Sequence, residues 1–72
     1  MKTTTEILNL ASTGVNLIVD ASYKTTIELM NIAGMVAKHK GHLTLINCNN
    51  KTILELMKIA HTAPANITID LS

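Results

Sequence analysis

The chain has 72 residues, of which 47% are apolar and 15% are charged, and its formal net charge is +1. A chain of this length forms one small domain, which hides only about 60% of the surface of its unfolded chain. There is no basic excess and no arginine, which argues against a nucleic-acid-binding protein. Because ordinary soluble domains are roughly 25% charged, the apolar excess predicts that other copies of the chain or a partner cover part of its surface.

The sequence predicts neither export nor membrane insertion. Glu6, Asn9 and Asn16 interrupt any apolar region that a signal peptide would need. No apolar run approaches the roughly 18 residues of a membrane helix. Cys48 is the single cysteine, so an intrachain disulfide is excluded. The sequence predicts a cytoplasmic chain with no membrane partner.

A ten-residue segment occurs three times in similar form, and each copy opens a predicted helix. The copies read KTTTEILNLA, KTTIELMNIA and KTILELMKIA, at residues 2–11, 24–33 and 51–60. Each contains Thr-x-x-Glu, the capping box in which the Thr hydroxyl accepts from the third helical N–H and the Glu side chain accepts from the Thr N–H. The three pairs are Thr3 with Glu6, Thr25 with Glu28 and Thr52 with Glu55.

The ends of the three helices follow from glycine and proline. The first helix is expected to end by Gly14, a natural left-handed capping residue. The second is predicted from residue 26 to about residue 40, with Gly41 at its end, and Gly34 inside it is interpreted as allowing close packing. The third is predicted to end near Thr62, because Pro64 cannot continue a helix.

A β-like run follows each helix, at residues 17–22, 43–48 and 67–72. Helix–strand order with short loops predicts parallel strands with all helices on one face of the sheet. A period of roughly 22 to 27 residues is typical of stacked solenoids. The predicted fold class is α/β: three tandem helix–strand repeats in a single domain, residues 1–72, with a parallel three-stranded sheet and open, solenoid-like ends. The repeats span about residues 1–22, 23–48 and 49–72.

Alternation along the runs assigns side chains to the two faces of the sheet. Those predicted to face the helices are Leu17, Val19, Leu43, Leu45, Ile67 and Ile69. Those predicted to face away are Ile18, Asp20, Thr44, Ile46, Thr68 and Asp70. This second set is a candidate partner-binding face, and the alternative is ordinary cross-strand polar pairing.

The aligned strand runs read L-x-L-x-x-S/C, with Ser22, Cys48 and Ser72 at the last position. With a helix after each run, the chain resembles the leucine-rich-repeat family, whose consensus is LxxLxLxxN or LxxLxLxxC. The resemblance implies a protein-binding scaffold that uses its exposed strand face and has no catalytic residues. The sequence departs from the consensus at its first leucine, and it lacks the asparagine ladder. A two-layer α/β domain that arose by tandem duplication is the alternative.

Both outer strands are predicted to keep free edges, which normally must be blocked. The run DLS at the end, followed by MKTT from the beginning, also resembles DASYKTT at residues 20–26. We therefore expect head-to-tail association of copies, with a two-fold dimer through paired edge strands as the alternative. The residues predicted at this contact are Ile7, Leu10, Leu17 and Val19 at one end, and Ile67, Ile69 and Leu71 at the other.

The remaining chemistry-bearing residues predict no reaction. Residues 38–42 (KHKGH) form a charge cluster that could contact an acidic partner or phosphate, and His39 with His42 could ligate a metal. Cations at a helix C-terminus explain the cluster better. Cys48 is interpreted as a buried thiol rather than a reactive one. No phosphate loop or paired carboxylates are found. The prediction is a non-enzymatic structural or interaction protein without cofactor or metal, which self-associates; a small adaptor or inhibitor module is the alternative.

Overall fold

The structure is a computed structural model that describes residues 2–72, so Met1 and its place in the predicted end-to-end match lie outside the described residues. Three helices alternate with three strands. The elements are α1 (Thr4–Ala11), β1 (Leu17–Asp20), α2 (Thr26–Lys38), β2 (Leu43–Ile46), α3 (Ile53–His61) and β3 (Ile67–Ile69), with a short 3-10 turn at Ala21–Tyr23. None of the helices over residues 2–72 has the length and apolar character that crossing a membrane requires.

The three strands form one parallel sheet in the order β1-β2-β3. Equivalent positions of the three strands pair directly, so Leu17 lies beside Leu43 and Leu43 beside Ile67. Parallel neighbours require a crossover between them, and here each crossover contains a helix. The α/β class and the parallel three-stranded sheet are therefore confirmed.

All three predicted capping boxes are present at the helix starts. The backbone N–H of each Glu donates to the Thr hydroxyl at 3.1–3.2 Å. Each Glu carboxylate in turn accepts from the Thr backbone N–H at 2.8–2.9 Å. Two otherwise unpaired donors are satisfied at each helix start, which is why the three helices begin at equivalent residues.

The end of α2 differs from the prediction, because the helix stops two residues earlier and Gly41 does not adopt the left-handed conformation. Lys40 has that conformation, with φ of 65°. Its N–H donates to the Ala37 carbonyl at 3.1 Å, and the Gly41 N–H donates to the Val36 carbonyl at 2.9 Å. This is the Schellman arrangement, with Lys40 in the position usually held by glycine. The ends predicted for α1 and α3 are confirmed, with Gly14 at φ 83° and Thr62 as the C-cap.

The strands are shorter than predicted, with four, four and three residues instead of six. Asp20 and Asp70 cause this at β1 and β3, because each Oδ1 accepts from the backbone N–H two residues later at 2.9 Å. Such turns compete with strand pairing. At the end of β2, Asn47 has a φ of 56°, which takes the chain out of the extended conformation.

The core lies between the central helix and the central strand. Leu29, Ile32 and Val36 of α2 and Leu43 and Leu45 of β2 are completely buried. On the opposite face of the sheet, the side chains alternate as predicted: Ile18, Thr68 and Asp70 are exposed, and Asp20, Thr44 and Ile46 are half-buried. Gly34 faces open space, since an added Cβ would meet no atom within 4 Å. The prediction that it allows close packing was wrong.

Candidate functional site

One face of α1 and one face of α2 are each directed toward the next helix along the chain, and a hydrogen bond identifies each face. Thr4 Oγ1 donates to Glu28 Oε2 at 2.8 Å, and Thr26 Oγ1 donates to Glu55 Oε2 at 3.0 Å. Side chains four and seven residues further lie on the same face as the Thr. On α2 these are Met30, which is half-buried, and Ala33, which is fully buried.

In α3 the same three positions hold Ile53, Met57 and Ala60. No further helix covers them within residues 2–72, and Ile53 and Met57 are 67% and 51% exposed. Together with the end of the chain they form a groove of about 200 Å³, which we call the tail groove. It is lined by Ile53, Leu56, Met57, Ala60, Ile69 and Leu71. Every lining residue is apolar.

The other end of the structure holds a second groove, of about 220 Å³, which we call the head groove. Its apolar lining consists of Ile7, Leu10, Leu17, Ile18 and Val19. Lys2, Asp20 and Lys24 also line it. Charged side chains at a sheet edge oppose the addition of another strand. The tail groove, which has no charged lining residue, therefore suits apolar contact better than the head groove.

The structure thus brings most of the residues predicted for self-association into two separate grooves. Ile7, Leu10, Leu17 and Val19 line the head groove, although Val19 is only 7% exposed. Ile69 and Leu71 line the tail groove, whereas Ile67 is half-buried and does not line it.

Sequence reasoning missed Ile53 and Met57, the two most exposed side chains of α3 that line the tail groove. A signal was present in the repeated segment. At the position where the first two copies have Thr4 and Thr26, the third has Ile53. A hydrogen-bonding residue is replaced there by an apolar one.

Two polar contacts link neighbouring segments on the open face of the sheet. Asp20 Oδ2 accepts from Asn47 Nδ2 at 2.9 Å, and His42 Nε2 lies 2.7 Å from Thr68 Oγ1. Both contacts join a residue of one strand to a residue that flanks β2, and the recognition surface stays a prediction. Ile18, on the same face, is 74% exposed.

The cationic cluster lies at the end of α2, and the cysteine is buried. Lys38 lies in the last turn of α2 and His39 caps that helix, as expected for cations at a helix C-terminus. Within residues 2–72, no three His, Cys, Asp or Glu side chains are grouped to hold a metal. Cys48 is 5% exposed, and burial raises the pKa of its thiol, so the predicted buried position is confirmed.

The capping glutamates predict acid sensitivity. Hydrogen bonds from the backbone N–H of Thr3, Thr25 and Thr52 are the largest cause that lowers the pKa of Glu6, Glu28 and Glu55, respectively. Thr4 and Thr26 further lower the pKa of the second and third carboxylates.

Because these folded-state pKa values lie below the unfolded value of about 4.3, the carboxylates stabilise the fold above that pH and lose the effect as pH falls through the folded pKa values. We expect the urea midpoint to fall as the pH drops below the unfolded pKa and through the folded pKa values. In Glu28→Gln the fall should be smaller, and an equal fall in this variant would contradict the assignment.

The position corresponding to the leucine-rich-repeat ladder does not form a ladder. Ser22 and Ser72 are exposed, and each donates to the aspartate two residues before it, whereas Cys48 is buried. The described residues therefore give no support for a solenoid of that family. No protein-family model, curated protein or solved structure matches this chain. Function is therefore inferred from the chain's own geometry.

Proposed function

We propose that this chain is a non-enzymatic structural or interaction protein that self-associates through the apolar ends of a short stack of repeated helix–strand units. The observation that carries the proposal is the exposed outer face of α3. At the equivalent positions of α2, Thr26 and Met30 are half-buried and Ala33 is buried. On α3, Ile53 and Met57 remain 67% and 51% exposed. The outer face of α3 is apolar, and an exposed apolar surface of this kind suits contact with another copy of the chain.

The chain's three helix–strand units support this proposal through their similar internal contacts. Each Thr-to-Glu hydrogen bond between helices has the same donor and acceptor types, and the strands pair at equivalent residues. Units of this kind bury their apolar faces on neighbouring units. A second copy placed against α3 would cover the tail groove.

Sedimentation measured from about 1 μM to 1 mM tests the proposal, with an expected rise in mass above the 7.8 kDa of one chain. Met57→Lys should weaken association at least about 30-fold, because it places a charge in the centre of an apolar contact. Leu54→Lys is the matched control, since Leu54 lies on the same helix, is 61% exposed and does not line the tail groove. A folded monomer at every concentration would refute the proposal.

A small adaptor or inhibitor module is the second candidate, and the exposure of Ile18 on the open sheet face favours it. In that case the chain stays monomeric and another protein contacts Ile18, Thr44 and Thr68. Thr44→Lys or Thr68→Lys would then abolish partner binding without unfolding the chain. The sedimentation experiment separates the two candidates.

A further inference from the structure

We infer that the self-association is a two-fold dimer in which β3 of one chain pairs antiparallel with β3 of a second copy, centred on Thr68. This inference rests on the proposed function and names its geometry. The dimer would join two three-stranded sheets into one and bring the two tail grooves together. The alternative is head-to-tail stacking, in which β3 of one copy continues in register to β1 of the next.

The free edge of β3 presents the backbone groups that such pairing needs. Leu43 N–H donates to the Asn66 carbonyl at 2.8 Å, and Asp70 N–H donates to the Leu45 carbonyl at 2.9 Å. Even-numbered residues of this segment therefore direct their backbone groups toward β2. By alternation, Ile67 and Ile69 direct theirs to the free edge.

Centring the pair on Thr68 places Ile67 opposite Ile69 of the second copy. Both are residues whose backbone groups are directed outward, so each such pair exchanges two N–H···O bonds. Thr68 then lies opposite Thr68 of the second copy, at a non-hydrogen-bonded position, where the side chains of the two strands lie closest. This register uses only residues that are already extended in β3 and leaves the turn that follows Asp70 intact.

The side chains of the open face also match in this register. Asn66 is placed opposite Asp70 of the second copy. Asn66 Nδ2 already donates one hydrogen to the Gly41 carbonyl at 2.8 Å, and its second hydrogen is available for a carboxylate. Asp70 Oδ1 accepts from Ser72, which leaves Oδ2 as the acceptor.

Head-to-tail stacking in the internal register opposes like charges on the sheet. Within the chain, Asp20 pairs with Ile46 and its carboxylate accepts from Asn47. In a continued stack, Asp70 would lie beside Asp20 of the next copy. Ala21 of that copy would take the place that Asn47 holds within the chain, and it has no side-chain amide to donate. Neighbouring like charges on paired strands are destabilising.

The helix layer disfavours head-to-tail stacking for a second, independent reason. Between α1 and α2, and between α2 and α3, a Thr hydroxyl donates to the capping Glu of the next helix. A continued stack would place Ile53 against Glu6 of the next copy. Isoleucine offers no donor and would remove water from that carboxylate, which costs free energy.

The two-fold arrangement avoids both conflicts. A two-fold axis normal to the sheet keeps the helices of both copies on one side and places the two α3 helices antiparallel. Ile53, Met57 and Ala60 form one stripe on α3, and they would then meet the same stripe of the second copy. The tail groove has no charged lining residue, so the contact between the two α3 stripes buries no charge from that groove.

Cysteine cross-linking of the full chain tests this geometry. Thr68→Cys is an exposed substitution, and a non-hydrogen-bonded antiparallel pair brings its Cα atoms to about 4.5 Å, within disulfide range. Oxidised glutathione should convert most of the Thr68→Cys protein to a covalent dimer. Thr44→Cys on the central strand and the unsubstituted chain, whose Cys48 is buried, should remain uncross-linked.

The doubly substituted chain, Thr68→Cys with Ile18→Cys, separates the two geometries. A product that stops at the dimer supports the two-fold arrangement. A ladder of higher multimers from the double variant, with no dimer from Thr68→Cys alone, establishes head-to-tail contact. That result overturns this inference, whereas the proposed self-association survives. A folded Thr68→Cys chain that neither cross-links nor sediments above the monomer mass overturns both.

Discussion

Replacing Ile32 by alanine is expected to lower the free energy of unfolding by about 2–5 kcal/mol. Ile32 lies in the middle of α2 and is completely buried in the core. Its removal leaves a cavity between the central helix and its neighbours, which relax only partly. For a domain of this size such a loss is a large share of its total stability, so a substantial fraction of the variant should be unfolded at 37 °C.

Ile27→Ala is the matched control for this substitution. Ile27 belongs to the same helix but is 70% exposed, so its replacement should change the free energy of unfolding by less than about 0.5 kcal/mol. Urea unfolding of both variants at one protein concentration measures the difference, because stability linked to association depends on concentration. Equal losses in the two variants would contradict the placement of the core.

Substituting alanine at Gly41 and at Gly34 is expected to change stability in opposite directions. A Cβ at Gly41 would lie 2.5 Å from the Val15 carbonyl oxygen, a backbone atom that cannot move aside as a side chain would. The strain should cost about 1–3 kcal/mol or more. At Gly34, inside α2, a Cβ meets nothing within 4 Å, and alanine should stabilise the helix by about 0.5–1 kcal/mol.

Thermal unfolding of the two variants beside the unsubstituted chain tests this pair. The Gly41→Ala midpoint should fall by several degrees, and the Gly34→Ala midpoint should rise by several degrees. Far-ultraviolet circular dichroism before heating confirms that both variants are folded. A Gly41→Ala chain as stable as the parent would show that the segment before β1 does not approach this glycine as closely as described.

The close approach at Gly41 also connects the fold to the proposed dimer. Gly41 precedes β2, and its carbonyl accepts from Asn66, the residue just before β3. Nε2 of the neighbouring His42 lies 2.7 Å from Oγ1 of Thr68. Thr68 is the centre of the proposed pairing. Substitutions at Gly41 are therefore expected to weaken self-association as well as the fold, whereas Met57→Lys should weaken association alone.

Local sequence signals were sufficient for the beginnings of the helices and for the class of fold. A capping box involves residues three apart, so Thr25 and Glu28 specify a helix start whatever surrounds them. Alternation of apolar side chains and the helix–strand order likewise predicted the parallel sheet and which face of it the helices cover. These features depend on neighbours along the chain.

Contacts between distant segments decided the rest. Packing between segments far apart in sequence decides which residue ends α2 in the left-handed conformation and why Gly41 must lack a side chain. The same packing decides which acceptors Thr4 and Thr26 donate to. The same holds for the candidate site. The repeat predicted apolar ends, but only the packed helices show that α3 leaves Ile53 and Met57 uncovered, because burial depends on the neighbours that the fold brings together.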